Sequence, residues 1–105
     1  MFHRLDNIQP KEVLPGLVGK FVHSEKMTFA YWNIKKGSAL PAHSHIHEQV
    51  INVLEGEFEV TINGTSEILT KGMMATFPSN VIHAGQAITE CKILDVFSPI
   101  REDYR

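Results

Sequence analysis

The sequence predicts an all-β protein, a jelly-roll barrel of short antiparallel strands, on three observations. Turn-forming residues recur at short intervals, at Pro15-Gly16, Gly37, Gly56, Asn63-Gly64, Gly72, Pro78-Ser79-Asn80 and Pro99. The segments between them are short and rich in Val, Ile, Phe and Thr, and none sustains a 3.6-residue apolar repeat. Asn63-Gly64, set between two such segments, takes the positive φ angles that a two-residue hairpin turn demands.

Strands are expected at 17–24, 27–35, 49–54, 57–62, 65–70, 73–77, 81–87 and 90–97. In the 49–54 segment both faces are apolar, Val50 and Leu54 opposing Ile51 and Val53. Such a strand is covered on both sides, by a tightly packed second sheet or by the partner copy of a homodimer. In the 57–62 strand Phe58, Val60 and Ile62 share one face while Glu57, Glu59 and Thr61 share the other, so one side is wet. Along 90–97, Cys91, Ile93, Asp95 and Phe97 share a face opposite Leu94 and Val96. Eight or so short strands must hide their edges, and closing into a barrel does so. A small ligand then fits the interior.

A chain of 105 residues accommodates one domain, spanning 1–105. With 43% hydrophobic and 21% charged residues and a formal net charge of -2, it carries no basic field to recommend nucleic acid or an anionic membrane. No apolar run approaches the roughly 20 residues of a membrane span, and the segment after Met1 lacks a signal-peptide core, so a cytoplasmic location is expected. Cys91 is the only cysteine, which excludes an internal disulfide and a thiolate-rich metal site. Any bound metal must be held by nitrogen and oxygen.

Those donors are conspicuous. His43, His45 and Gln49 stand at odd positions, so an extended segment would direct all three to one face, and His83 arrives from a distant strand. Imidazole suits Zn, Cu, Fe and Ni, and the competing reading is a set of half-exposed turn histidines. Gln49 either ligates directly or orients a metal-bound water. His47 follows the same odd register but is read as structural or rim-lying, and Glu48 as a surface or supporting carboxylate in the opposite register. Asp95 lies among apolar neighbours, where a carboxylate needs a partner and its proton affinity rises; it is either a structural, hydrogen-bonded residue or a proton carrier. Arg101, beyond Pro99, is a solvated charge or a planar clamp for a carboxylate. Phe29, Tyr31 and Trp32 are expected to pack the core, with one aromatic face flooring the pocket. Cys91 and the four methionines fill the core.

Gly37, His43, His45, Gln49 and Gly56 fall at the spacings of the first motif of the cupin superfamily, with Gln49 where that motif has Glu. Gly72, Pro78 and His83 match the second, in which Asn80 replaces a Gly and Ala87 an Asn. The chain thus resembles a single-domain cupin. The resemblance implies a cupin-type double-stranded β-helix holding one divalent transition metal (Zn, Ni, Fe or Mn) on His43, His45, Gln49 and His83. A narrower likeness, through His-x-His-x-His-Glu-Gln49 and the tail Asp95-Val-Phe97-Ser-Pro-Ile-Arg101-Glu-Asp-Tyr, is to the small pectin-degradation cupins that linearise unsaturated uronates. It implies that Asp95, Phe97 and Arg101 complete an active site for a small acidic sugar.

Three functions follow. The first is metal-dependent ring opening of an unsaturated uronate, favoured because a ligand set without carboxylate leaves the ion its full charge for an anionic substrate. The second is an Fe(II)-dependent dioxygenase, against which the missing carboxylate ligand counts. The third is a non-catalytic small-molecule or sugar-binding module, acting alone or through a partner, since no DNA-reading helix is present.

Overall fold

Period-two alternation in the sequence becomes the inside and the outside of two facing antiparallel sheets. The computed structural model describes residues 1–105. Its strands are β1 (Lys11–Leu14), β2 (Leu17–His23), β3 (Thr28–Ile34), β4 (Ala39–His43), β5 (Glu48–Glu55), β6 (Phe58–Ile62), β7 (Thr65–Leu69), β8 (Met74–Phe77), β9 (His83–Ala87) and β10 (Cys91–Ser98). A six-stranded sheet runs β1-β2-β3-β10-β5-β8 and a four-stranded sheet β4-β9-β6-β7. No helix is long and apolar enough to cross a membrane.

The inner faces meet in one core. Ala30, Trp32 and Ile34 of β3, Ile51 and Val53 of β5, and Cys91, Ile93 and Phe97 of β10 face Phe58 and Val60 of β6, Leu69 of β7 and Ala87 of β9. Burying each large side chain is worth about 1.5–3 kcal/mol relative to exposure. β-Branched and aromatic residues dominate these positions because they fit a pleated, half-buried surface. The β6–β7 hairpin turns at Asn63 (φ 48°) and Gly64 (φ 82°), the conformation expected of that pair.

The eight expected strands are present, most ending within a residue or two of their anticipated limits. Two more, β1 and β4, escaped the sequence reading because they are short, exposed and interrupted. β4 contains Pro41, which cannot donate to the ladder, and both strands show register irregularities. On the outer face of β5, Val50 is half-buried beside Val96 of β10 in the same sheet, while Leu54 is 41% exposed.

Register places the polar interior at one end of the barrel. Thr28, Gln49, His83 and Asp95 are the buried polar residues. Across the six-stranded sheet Thr28, Phe97, Gln49 and Phe77 form one inward row, and Ala30, Asp95, Ile51 and Ala75 the next. Trp32 follows one row deeper, opposite Gly19 and Ile93. Gly19 leaves room for its indole, for a Cβ there would stand 2.8 Å from both the Trp32 and Phe21 rings.

Gly19→Ala should therefore force Trp32 and Phe21 apart and destabilise the fold by about 1–3 kcal/mol. Chemical denaturation checks this; an unchanged midpoint would show that the rings have slack.

Candidate metal centre

Three imidazoles converge because the chain changes sheets between two of them. His43 closes β4 and pairs directly with His83, which opens β9. The chain then crosses at 44–47 to β5 of the other sheet, carrying His45 on the crossing, and Gln49 enters on β5. The crossing is pinned from outside, Asn80 N–H donating to His45 O at 2.8 Å. Convergence does not come from a single extended face, as the odd spacing suggested: 44–47 is not strand, and His43 and Gln49 stand on opposite sheets.

His43, His45 and His83 bring ligand atoms within 4.8 Å of one another and could hold a metal ion. Each Nδ1–H donates to a backbone carbonyl two residues away: His43 to Pro41 at 2.8 Å, His45 to His47 at 3.0 Å, His83 to Val81 at 3.0 Å. A carbonyl only accepts, so these bonds fix the tautomer and leave the lone pair on Nε2. The His83 Nε2 is buried with no partner. An orphaned acceptor of this kind is costly unless something binds it, which fits a cation.

Burial disfavours the doubly protonated form of two of the rings. Burial pushes His45 down to about 4, with the Arg101 guanidinium and His83 adding to the effect and hydrogen bonds to Gln49 and His47 opposing it. His83 is lowered chiefly by burial as well. Phe77 stacks on its ring at 4.4 Å and 16°. Gln49 Oε1 lies 3.1 Å from His45 Nε2.

His43 and His83 line a cavity of about 230 Å³ whose walls also include Gln49, Trp32, Asp95, Phe97, Arg101 and Tyr104. Asp95 is 8% exposed; Trp32 Nε1–H donates to its Oδ2 at 3.0 Å, and Oδ1 has no partner. Burial raises this carboxyl to about 6, against the lowering influence of Gln49, Trp32 and Arg101. A group titrating there can accept and return a proton near neutrality.

Arg101 is not a solvated charge. Its side chain is 12% exposed, stacked between the rings of Phe97 (4.7 Å) and Tyr104 (4.2 Å). Asp103 holds the guanidinium from outside, accepting from Nε at 2.9 Å and Nη2 at 2.7 Å, which leaves Nη1 without a hydrogen bond. The tail is tied down in turn: Arg101 N–H donates to Thr28 Oγ1 at 2.9 Å, and Tyr104 stacks on Phe21 at 4.6 Å.

Of the three aromatics on β3, Trp32 faces the cavity while Phe29 and Tyr31 are half-buried on the outer side. His47 does not line the cavity; it packs edge-on against His45 at 5.3 Å with its Nε2–H donating to Ile100 O at 3.1 Å, and Glu48 is exposed. Tyr104 and Asp103 had no sequence signal as site residues, because a tail beyond Pro99 has no periodicity from which to read direction.

Titrating metal-free protein with Ni²⁺ or Zn²⁺ should stabilise it by about 2.7 kcal/mol at a hundredfold excess over Kd. Thermal denaturation reads this, and His83→Ala should remove the gain; wild-type protein indifferent to either ion would contradict the arrangement.

Known proteins share this fold. The cupin domain family matches residues 30–97. The pectin degradation protein KdgF of Dickeya dadantii (strain 3937) is 33% identical over 104 residues, covering 95% of this chain and 94% of that protein. Among solved structures, KdgF from Halomonas sp. superposes with a TM-score of 0.94 at 26% identity, over 100% of this chain and 98% of that one. An RmlC-like cupin from Shewanella frigidimarina NCIMB 400 gives a TM-score of 0.94 at 30% identity, over 99% and 95%. With the matched span running from β3 to Phe97 and taking in all three imidazoles, this chain belongs to the cupin family.

Proposed function

We propose that this cupin binds one divalent transition metal through His43, His45, His83 and Gln49 and opens the ring of a small unsaturated uronate. The observation that carries the reading is that three clustered imidazoles, two of them lining the cavity, share that cavity with a buried carboxyl that has a free oxygen and a guanidinium that has a free Nη1. Resemblance to proteins named for pectin degradation supports the substrate class.

Gln49 supports its own inclusion. With the Nδ1–H of His45 committed to His47 O, Nε2 presents a lone pair, and Oε1 presents another 3.1 Å away. Two acceptors at that distance repel unless a cation stands between them or the amide turns its NH₂ to the ring. A bound divalent ion would polarise the substrate oxygens and attract its carboxylate.

The protein does the rest. Asp95 takes the proton of the anomeric hydroxyl; the carbonyl forms at C1 as the bond from C1 to the ring oxygen breaks, and the electron pair stays on that oxygen. The same carboxyl returns the proton there, giving an enol that tautomerises to the ketone, so the reaction is an isomerisation with no oxidant. Arg101 pairs through Nη1 with the substrate carboxylate, and Phe97 walls the site. A cavity of about 230 Å³ is smaller than the roughly 300–1,000 Å³ of pockets for drug-sized ligands, so it suits one sugar ring rather than a chain.

Metal-replete protein should accelerate the loss of ultraviolet absorbance of unsaturated monouronates, and an unchanged rate would sink the proposal. Asp95→Asn should lower kcat about 10²- to 10⁴-fold while KM holds, the usual contribution of a positioned acid-base group. Arg101→Ala should instead raise KM, by about ten- to a hundredfold for a lost charge-assisted hydrogen bond. Steady-state kinetics separates the two.

A further inference from the structure

A carboxyl has two oxygens, and in Asp95 they stand in unlike surroundings. Oδ2 accepts the Trp32 indole N–H at 3.0 Å; Oδ1 is buried, unpartnered and on a residue that lines the cavity. The donor is rigidly held. Trp32 is 6% exposed, meets Phe21 edge-on at 5.4 Å and 81°, meets Tyr104 edge-on at 5.8 Å and 79°, and lies over Gly19. Its strand partner Ile93 is two residues from Asp95 on the same face, so the indole reaches the carboxyl along a diagonal of the sheet. A half-turn of the Asp95 carboxyl only exchanges two equivalent oxygens, so whichever oxygen meets the indole, the other is left free; swinging the carboxyl out of this plane would break the bond to Trp32.

We propose that Trp32 is a positioning residue for Asp95, fixing Oδ2 so that Oδ1 alone takes up and returns the proton. This rests on the ring-opening reading above. One oxygen then serves both transfers: it gains the anomeric hydroxyl proton as the bond from C1 to the ring oxygen breaks, and gives that proton to the ring oxygen. The carboxylate that begins the cycle is the carboxylate that ends it. Trp32 never touches the reacting atoms in this scheme, and its effect passes wholly through the orientation of Asp95.

Trp32→Phe keeps an aromatic ring against Phe21 and Tyr104 and removes the N–H. It should lower kcat about ten- to a hundredfold, the cost of a misaimed catalytic group, with KM within about twofold and bound metal unchanged. In the Asp95→Asn background the same change should lower kcat no further, because its effect acts through the lost carboxylate. As Trp32 is the only tryptophan, its indole N–H gives one proton resonance, and in intact protein that signal should exchange slowly and shift on Asp95→Asn. Unaltered kcat in Trp32→Phe, a fall that persists in the double variant, or a fast-exchanging indole signal indifferent to Asp95→Asn would each overturn the assignment. Wild-type protein that opens no uronate overturns the ring-opening reading and this role with it. An active wild type beside an equally active Trp32→Phe overturns this role alone.

Discussion

Everything at the candidate metal centre depends on one constraint: a polar group removed from water must find a partner, and here the partners are supplied locally. Each of the three imidazoles satisfies its Nδ1–H on a carbonyl two residues away in its own segment. That short-range choice decides which nitrogen faces inward. The pairing of His43 with His83 across β4 and β9, and the crossing that delivers His45, then bring three lone pairs together. Tautomer and direction are set by the fold without an ion, and burial disfavours the charged form of His45 and His83.

The same apolar enclosure acts in opposite directions on acid and base. It drives His45 down and Asp95 up, each toward its neutral form, because burial penalises whichever form is charged. A neutral imidazole can bind a metal ion, and a carboxyl near neutrality can carry a proton. One physical cause therefore prepares both halves of the cavity. Arg101 remains charged because its charge is compensated outside, by Asp103, and its plane is shielded by Phe97 and Tyr104.

Much of this was legible in the chain. The turn residues gave the strand spacing, the face shared by Cys91, Ile93, Asp95 and Phe97 put a carboxyl indoors, and histidine spacing picked out the three imidazoles. The mechanism of convergence was not legible, since the sequence pattern for one extended face and for a crossing between sheets is the same odd spacing. Nor was the tail. Its geometry comes from long-range contacts, Arg101 N–H to Thr28 and Tyr104 on Phe21, which leave no local pattern at 101–105. Alternation places Trp32 in the core or on the pocket floor; its bond to Asp95 depends on register between β3 and β10, which alternation alone does not fix.

Gln49 concentrates the consequence of these choices. A glutamate there would add a second buried carboxylate one sheet row from Asp95, and two such groups close together resist joint ionisation. Either the ligand or the proton carrier would then be held protonated, weakening metal binding or raising Asp95 beyond its useful range. The amide offers an oxygen without the charge. Asp95 is left as the single carboxyl lining the cavity, and the cation of the proposed centre is left unneutralised by its ligands. On the proposed reading, an anionic substrate is what completes that balance, with Nη1 of Arg101 as its second contact. In that proposal, one amide in place of one carboxylate would tie the ligand set to the substrate class through charge rather than shape.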